Sequence, residues 1–329
     1  MVKLIVQIPC YDEEETLPGV LADIPHRIEG IDEIEILVID DGSRDRTASI
    51  AYEHGAHVIA HVGNKGLAAA FQTGIDECVR LGADIIVNTD GDHQYRGEDI
   101  PALVRPILLG QCEMVIGDRQ TNRIAHFSPM KKRLQAAGSW AMRNLSGTDV
   151  PDAPSGFRAF SREAAMRLNV ITGYTYTLET LIQAGKKNIS IRSVPITTNR
   201  VTRPSRLFTS VFSYVKRSAA TMVRIWAMYE PLKTFSYAAG VFFLLAFVLF
   251  GRFAFLYFGR GEVGPRHIQS LIVGMIFVMI GSVIAAVALL SDSIAANRRL
   301  IEENLRRTKQ LQSQIAALER RLTERDTPV

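Results

Sequence analysis

Apolar positions follow two regimes along this chain. Over roughly the first 230 residues, short apolar runs alternate with mixed segments. Residues 3–9 (KLIVQIP), 35–39 (EILVI), 56–59 (AHVI), 83–87 (ADIIV) and 112–116 (CEMVI) read as buried strands, being short, apolar and rich in β-branched side chains. Helices are predicted between them, at about 14–27, 45–54 and 66–81. Strands alternating with helices imply an α/β domain with a mostly parallel sheet and helices on both faces. In such sheets ligands bind beyond the carboxyl ends of the strands. Polar clusters stand at those ends: Pro9 to Glu15, Asp40 to Asp45, and Asp90 to Gln94.

The second regime is continuous. Residues 234–258 hold a single charge, Arg252, and residues 268–290 hold none. Each stretch exceeds the roughly 20 residues needed to cross a hydrocarbon layer. Neither has a polar face, which argues against a pair of buried core helices. Residues 259–267 (GRGEVGPRH) read as a tight turn between two spans. Two crossings return the chain to its starting side. Lys216, Arg217, Arg224 and Lys233 precede the spans, and Arg298, Arg299, Arg306, Arg307 and Lys309 follow them. The turn carries only Arg260 and Arg266, so the positive-inside rule places the larger part in the cytoplasm. The expectation is a multi-pass protein of the cell inner (plasma) membrane with two spans, both termini cytoplasmic.

Beyond the spans, Ile294, Ile301, Thr308, Ile315 and Leu322 occupy a positions of a heptad, and Asn297, Asn304, Leu311 and Leu318 occupy d positions. That seam predicts a coiled coil with Asn fixing its register, against the alternative of a single solvated helix. It implies a homo-oligomer, a tetramer among the candidates.

Composition narrows the picture. With 47% hydrophobic and 22% charged residues, a disordered or collagen-like chain is excluded. The net charge of +4 is too small to argue for nucleic acid. Cys10, Cys78 and Cys112 are widely spaced, so neither a zinc site nor a disulfide framework is expected, and they suit a reducing compartment. Met1-Val-Lys3 leads straight into a strand, and no signal peptide is expected.

The strand ends carry the candidate chemistry. Pro9-Cys-Tyr-Asp-Glu-Glu-Glu15 lacks the G-x-G-x-x-G of a dinucleotide site. Its acids suit sugar or base hydroxyls, or simply a helix start that favours negative charge. Asp40 ends a buried strand and suits a nucleobase or ribose hydroxyl. In Asn88-Thr-Asp90-Gly-Asp92-His-Gln94, two carboxylates one residue apart can present oxygens to one hard divalent cation, with Gln94 as a third donor. An exposed acidic turn is the alternative. Two stretches, 119–148 and 180–229, carry six and nine cations and no acid. Such runs are usually solvated faces. Here, phosphates and a membrane offer them a use, and 207–229 mixes aromatics with cations as a headgroup-level helix does.

Read together, these motifs resemble glycosyltransferase family 2, in its polyprenyl-phosphate branch of dolichol-phosphate mannose synthases and two-span undecaprenyl-phosphate sugar transferases. The resemblance spans about residues 3–206. It rests on Ile8-Pro-Cys-Tyr-Asp-Glu13, Ile39-Asp-Asp-Gly-Ser-Arg-Asp-Arg-Thr47, Asn64-Lys-Gly-Leu-Ala-Ala-Ala70 and Asp90-Gly-Asp-His-Gln94. Gly117-Asp-Arg119, Ser155-Gly-Phe-Arg158, Gly173-Tyr-Thr-Tyr-Thr-Leu-Glu179 and Val194-Pro-Ile-Thr-Thr-Asn-Arg200 complete it. Two departures stand out. Arg203 and Arg206 replace Gly and Lys of a frequent R-x-x-G-x-S-K, and Asp-Gly-Asp with Tyr95 replaces a common D-A-D-x-Q-H.

The resemblance implies a GT-A (Rossmann-like) α/β domain at 1–206 and interfacial amphipathic helices at 207–232. Transmembrane helices at 233–258 and 268–290 and a coiled-coil tail at 291–329 would follow. It implies inverting transfer of one sugar from a nucleotide-sugar (UDP-sugar favoured, GDP-mannose the other option) to undecaprenyl or dolichyl phosphate, with Mg2+ or Mn2+. By resemblance, Pro9, Tyr11, Glu13 and Asp40 hold the nucleotide, and Arg200 and Arg206 clamp the diphosphate. Asp90, Asp92 and Gln94 hold the metal, and Arg119 and Arg133 receive the lipid phosphate. A processive polysaccharide synthase and a non-catalytic oligomeric scaffold are the rivals. The first usually carries Q-x-x-R-W and more spans. The second has no use for the acidic loop and the cationic stretches together.

Overall fold

The computed structural model describes residues 1–120, 142–143, 146–171, 173, 175–199, 220, 223–224, 227–260 and 265–326. The chain divides into two compact units, one of Met1–Met222 with Glu302–Val329 and one of Val223–Ile301. Arg133, Arg200, Arg206 and most of the expected interfacial segment lie outside the described residues.

The first unit is built on a seven-stranded sheet. Its strands are β1 (Lys3–Cys10), β2 (Glu33–Asp40), β3 (His57–Ala60), β4 (Ile85–Asn88), β5 (Met114–Asp118), β6 (Arg158–Ser161) and β7 (Ile191–Pro195). Their order across the sheet is β3-β2-β1-β4-β6-β5-β7, with β6 antiparallel to both neighbours and the other pairs parallel. The expected five parallel strands are all present. β6 and β7 were not anticipated: β6 is four residues long and starts at Arg158, the last residue of a motif, and β7 is five residues with Arg192 and Ser193 adjacent, so neither shows a clear apolar pattern.

Central β1 is buried on both faces, which explains its unbroken apolar run. Leu4, Val6 and Ile8 pack with the helices α1 (Leu17–Asp23), α2 (Thr47–Glu53) and α4 (Ile100–Leu108). The opposite face meets α3 (Leu67–Arg80), where Gly74 lets the helix approach the Gln7 amide and Ile39. Helix α1 is shorter than predicted because residues 12–14 are engaged elsewhere. Asp12 N–H donates to Ser43 Oγ (2.9 Å), Glu13 N–H to Thr47 Oγ1 (2.8 Å) and Glu14 N–H to Asp45 Oδ2 (3.0 Å). These bonds tie the β1–α1 loop to the β2–α2 loop. Two further helices, α5 (Arg162–Arg167) and α6 (Tyr176–Lys186), follow β6.

The second unit contains α7 (Pro231–Arg260) and most of the apolar part of α8 (Pro265–Asp326). Both are long and apolar enough to cross a membrane. They pack antiparallel: Phe250 lies over Gly274, where a Cβ would come within 2.5 Å of its ring, and Phe243 over Gly281, where a Cβ would be crowded at 3.0 Å. Arg252, the single charge of the first apolar stretch, donates from Nη1 to Ser270 Oγ on α8 at 3.2 Å.

Helix α8 continues without a break into the predicted heptads. Its far end belongs to the first unit. Lys309 Nζ pairs with Asp76 of α3 (2.7 Å) and donates to Asn169 Oδ1 (2.8 Å), Arg306 pairs with Glu163 of α5 (2.7 Å), and Glu302 pairs with Lys187 (2.9 Å). These residues, with buried Ser313, recur at three- and four-residue spacing and therefore share one helical face. The a and d residues Ile301, Leu311, Ile315 and Leu318 are exposed.

Candidate active site

The ends of β1, β2 and β4 converge because these strands are neighbours: Cys10 is level with Asp40, and Gln7 with Asn88. Burial pushes the Cys10 thiol far up, and the charges of Glu13, Asp40, Asp90 and Asp45 push it further. Acids from three loops thus all act on this one thiol. Gly91 also touches this sulfur: a Cβ there would lie 2.9 Å from Cys10 Sγ. That contact accounts for Gly in a position where the resembling motif commonly has Ala.

Asp90 is the most perturbed acid. Burial, then the neighbouring charge of Asp92, raise its carboxyl to about 7, against the opposing influence of Arg119 and the Tyr176 hydroxyl. It is held by a buried network. Gln7 Nε2 donates to Asn88 Oδ1 (2.8 Å), Asn88 Nδ2 to Tyr176 OH (2.9 Å), and Tyr176 OH lies 3.4 Å from Asp90 Oδ1. Gly156 is required beside it, since a Cβ would sit 2.8 Å from Asp90 Oδ2 and 2.7 Å from Tyr176 OH. Asp92 accepts from Gln94 N–H at 3.0 Å, which folds the acidic loop back on itself. Thr16 Oγ1 lies 2.7 Å from the Gly91 carbonyl and 2.8 Å from Glu13 Oε2, tying Glu13 to this loop.

The donor set fits a hard divalent cation. Asp90 and Asp92 are two carboxylates with Gln94 beside them, and Mg2+ takes one or two carboxylates with phosphates and water making up the rest. The mutual repulsion that raises Asp90 is relieved when a cation is shared.

Arg119, just past β5, faces this centre closely enough to act on the charge of both Asp90 and Tyr95. Its guanidinium is fixed by Asp152: Nε to Oδ2 is 2.8 Å and Nη2 to Oδ1 is 2.9 Å, and its backbone N–H also donates to Oδ2 (3.1 Å). Burial works against the arginine's charge, but the Asp152 bonds more than compensate and hold its pKa above the ordinary value. Arg158, of the Ser155-Gly-Phe-Arg158 motif, is fully buried, and burial lowers it to about 10. It donates to the carbonyls of Ser155 and Ala153 (both 2.7 Å), to the Thr177 carbonyl (2.9 Å) and to Thr180 Oγ1 (2.7 Å). It is a staple that shapes the loop carrying Asp152, not a group facing substrate. Gly156 N–H donates to Tyr95 OH (3.0 Å), closing that loop onto the acidic one.

The structure therefore brings together Pro9, Glu13, Asp40, Asp90, Asp92, Gln94 and Arg119, with Tyr11 following directly on β1. Asp40 is nearly buried and accepts from Ser43 N–H at 2.9 Å. Arg133, Arg200 and Arg206 are outside the described residues. Asp152 and Tyr176 were not anticipated. Asp152 carried one signal, as an acid close behind an acid-free stretch and three residues before Ser155.

Comparison with known proteins identifies the family. The pattern of Glycosyl transferase family 2 matches residues 5–168. The UDP-N-acetylglucosamine–dolichyl-phosphate N-acetylglucosaminyltransferase of Methanococcus voltae is 33% identical over 214 residues, covering 58% of this chain and 83% of its own. The polyprenol monophosphomannose synthase of Mycolicibacterium smegmatis is 28% identical over 207 residues, covering 59% and 77%. In fold, glucosyl-3-phosphoglycerate synthase from Mycobacterium tuberculosis, crystallised with Mn2+ and UDP-glucose, aligns with a TM-score of 0.54 at 23% identity, over 69% of this chain and 80% of that one. With a GT-A sheet, a strand-end acidic pair facing an arginine, and these relatives, the chain is a glycosyltransferase and belongs to Glycosyl transferase family 2.

Proposed function

We propose that this enzyme transfers one sugar from a nucleotide-sugar to a polyprenyl phosphate at the cytoplasmic face of a membrane. One observation supports this most directly: the Asp90–Asp92 pair faces an arginine already held rigid by Asp152, in a chain that also carries two span-length apolar helices. A site with acids on one side and a guanidinium on the other suits two anionic reactants.

The chemistry follows from charge. A phosphate monoester has a second pKa near about 6 and is largely dianionic at neutral pH. Its oxygen attacks the anomeric carbon, the bond to the nucleotide diphosphate breaks, and the electron pair leaves with the diphosphate. One displacement inverts the anomeric centre. No proton need be removed, and Asp152 has both oxygens engaged by Arg119. Arg119, joined by Arg133, offsets charge on the acceptor. Asp90, Asp92 and Gln94 would hold Mg2+ or Mn2+, which when bound offsets charge on the leaving diphosphate. Pro9, Tyr11, Glu13 and Asp40 form the nucleotide wall, with Arg200 and Arg206 on the diphosphate.

A UDP-sugar is the favoured donor, and GDP-mannose is the other. We further assign the exposed a and d residues of α8 to contact between copies of the chain. The test is a panel of UDP- and GDP-sugars offered with undecaprenyl or dolichyl phosphate and Mg2+ or Mn2+, scored by the mass of the lipid product. A single-sugar adduct on the lipid is expected. Absence of any adduct across the panel overturns the acceptor, and undiminished turnover in chelator overturns the metal.

A further inference from the structure

We infer that His61 is a positioning residue for the donor side of the site, acting through Asp41. The inference rests on the reading above, that the loop after β2 holds the nucleotide. His61 follows β3 directly and is nearly buried. Its Nδ1 is 2.7 Å from Asp41 Oδ1, and its Nε2 is 3.1 Å from Thr73 Oγ1 on α3. Its backbone N–H donates to the Asp40 carbonyl at 2.8 Å. A carboxylate only accepts, so Nδ1 carries the hydrogen, and in the neutral ring Nε2 accepts from the Thr73 hydroxyl.

Asp41 is the hub of this arrangement. Besides His61, its carboxylate takes the N–H groups of Lys65 (2.9 Å) and Gly66 (2.8 Å). Those two amides belong to the loop that opens α3, and Gly66 stands there with φ +94°. The same loop lies directly against the turn after Asp40: a Cβ on Gly42 would meet the Gly63 backbone at 2.7 Å. Asp41 therefore clamps the β3–α3 loop onto the β2–α2 turn, and His61 fixes which way its carboxylate faces. Arg119, at the end of β5, and its partner Asp152, in the loop ahead of β6, lie away from this loop pair. The effect of His61 is thus confined to the donor.

Two variants separate its two bonds. In His61→Asn the amide nitrogen can occupy the place of Nδ1, keeping the donor to Asp41 and losing Thr73. In His61→Gln the amide reaches the place of Nε2 and leaves Asp41 short of one donor. Hydrogen exchange and steady-state kinetics are measured on the full-length protein in detergent. His61→Gln is expected to speed amide exchange in the peptide holding Lys65 and Gly66 by about tenfold or more. It is expected to raise the nucleotide-sugar KM on the order of tenfold while kcat and the polyprenyl-phosphate KM stay near wild type. His61→Asn should restore both. Equal behaviour of the two variants, unchanged exchange at Lys65 and Gly66, or loss of folding in both overturns the positioning role. If wild type uses no nucleotide-sugar, the transfer reading fails, while the exchange measurement still decides whether His61 holds the loop.

Discussion

Asp90 combines the two demands that shape the site, since it must sit in the interior and must also carry charge. Its folded pKa of about 7 stands far above the ordinary aspartate value of 3.8. A raised carboxyl pKa means that stability present below pH 4 is lost progressively as pH rises to about 7 and stays lost above it. Asp90→Asn removes that ionisation. In chelator, the variant should melt higher than wild type at pH 8, by an amount on the order of 2–4 kcal/mol, with the gap closing toward pH 4. It should also lose lipid-linked product, which makes the site a place where function costs stability. A melt that is unchanged between the two proteins at pH 8 would count against the strained carboxylate. The same proton competes with any cation, so Mn2+ affinity should weaken about tenfold per pH unit below about 7, as calorimetry can read. These residues were legible beforehand because a strand end and a motif coincide at Asp90. Asp152 was not, because its partner Arg119 is far away in sequence and only the folded loop brings them together.

Two elements behave differently from their sequence appearance. The acids after β1 look like a helix start, yet residues 12–14 brace the neighbouring loop, and α1 begins only at Leu17. The loop ahead of β6 carries one of the family-like motifs, yet its Arg158 is consumed by two bonds to the loop, at Ser155 and Ala153, and two to α6, at Thr177 and Thr180. Gly156→Ala should therefore harm the enzyme through crowding: a methyl driven against Asp90 and Tyr176 costs about 1–3 kcal/mol, read as a lowered Tm with reduced activity. On α8, Arg306 and Lys309, which the sequence offered only as cations flanking the spans, dock the tail on α3 and α5. A double-mutant cycle of Lys309→Ala and Asp76→Ala should return a coupling of about 1 kcal/mol, measured by thermal melts of the singles and the double. Additive effects would show that the pair carries nothing.

At the scale of the whole molecule, the parallel sheet and the paired apolar helices were readable from periodicity and length alone, because both depend on simple rules of burial. The tail was readable as a helix but not as a partner of the catalytic unit, since contact across more than 200 residues of sequence leaves no local trace. The proposed membrane orientation rests on the flanking cations. Single cysteines at Gly259 and at exposed Gln314, introduced into a chain lacking Cys10, Cys78 and Cys112, should label from opposite sides of sealed vesicles. Labelling from the same side would overturn two crossings.

The antiparallel strand in the middle of the sheet has a further consequence. β4 and β5 are not neighbours, because β6 lies between them. The loops bearing Asp90 and Arg119 thus leave the sheet two strand spacings apart, about 9–10 Å. That interval is a ruler built from backbone: the two opposite charges sense each other across it, and side-chain changes in either loop leave its length untouched.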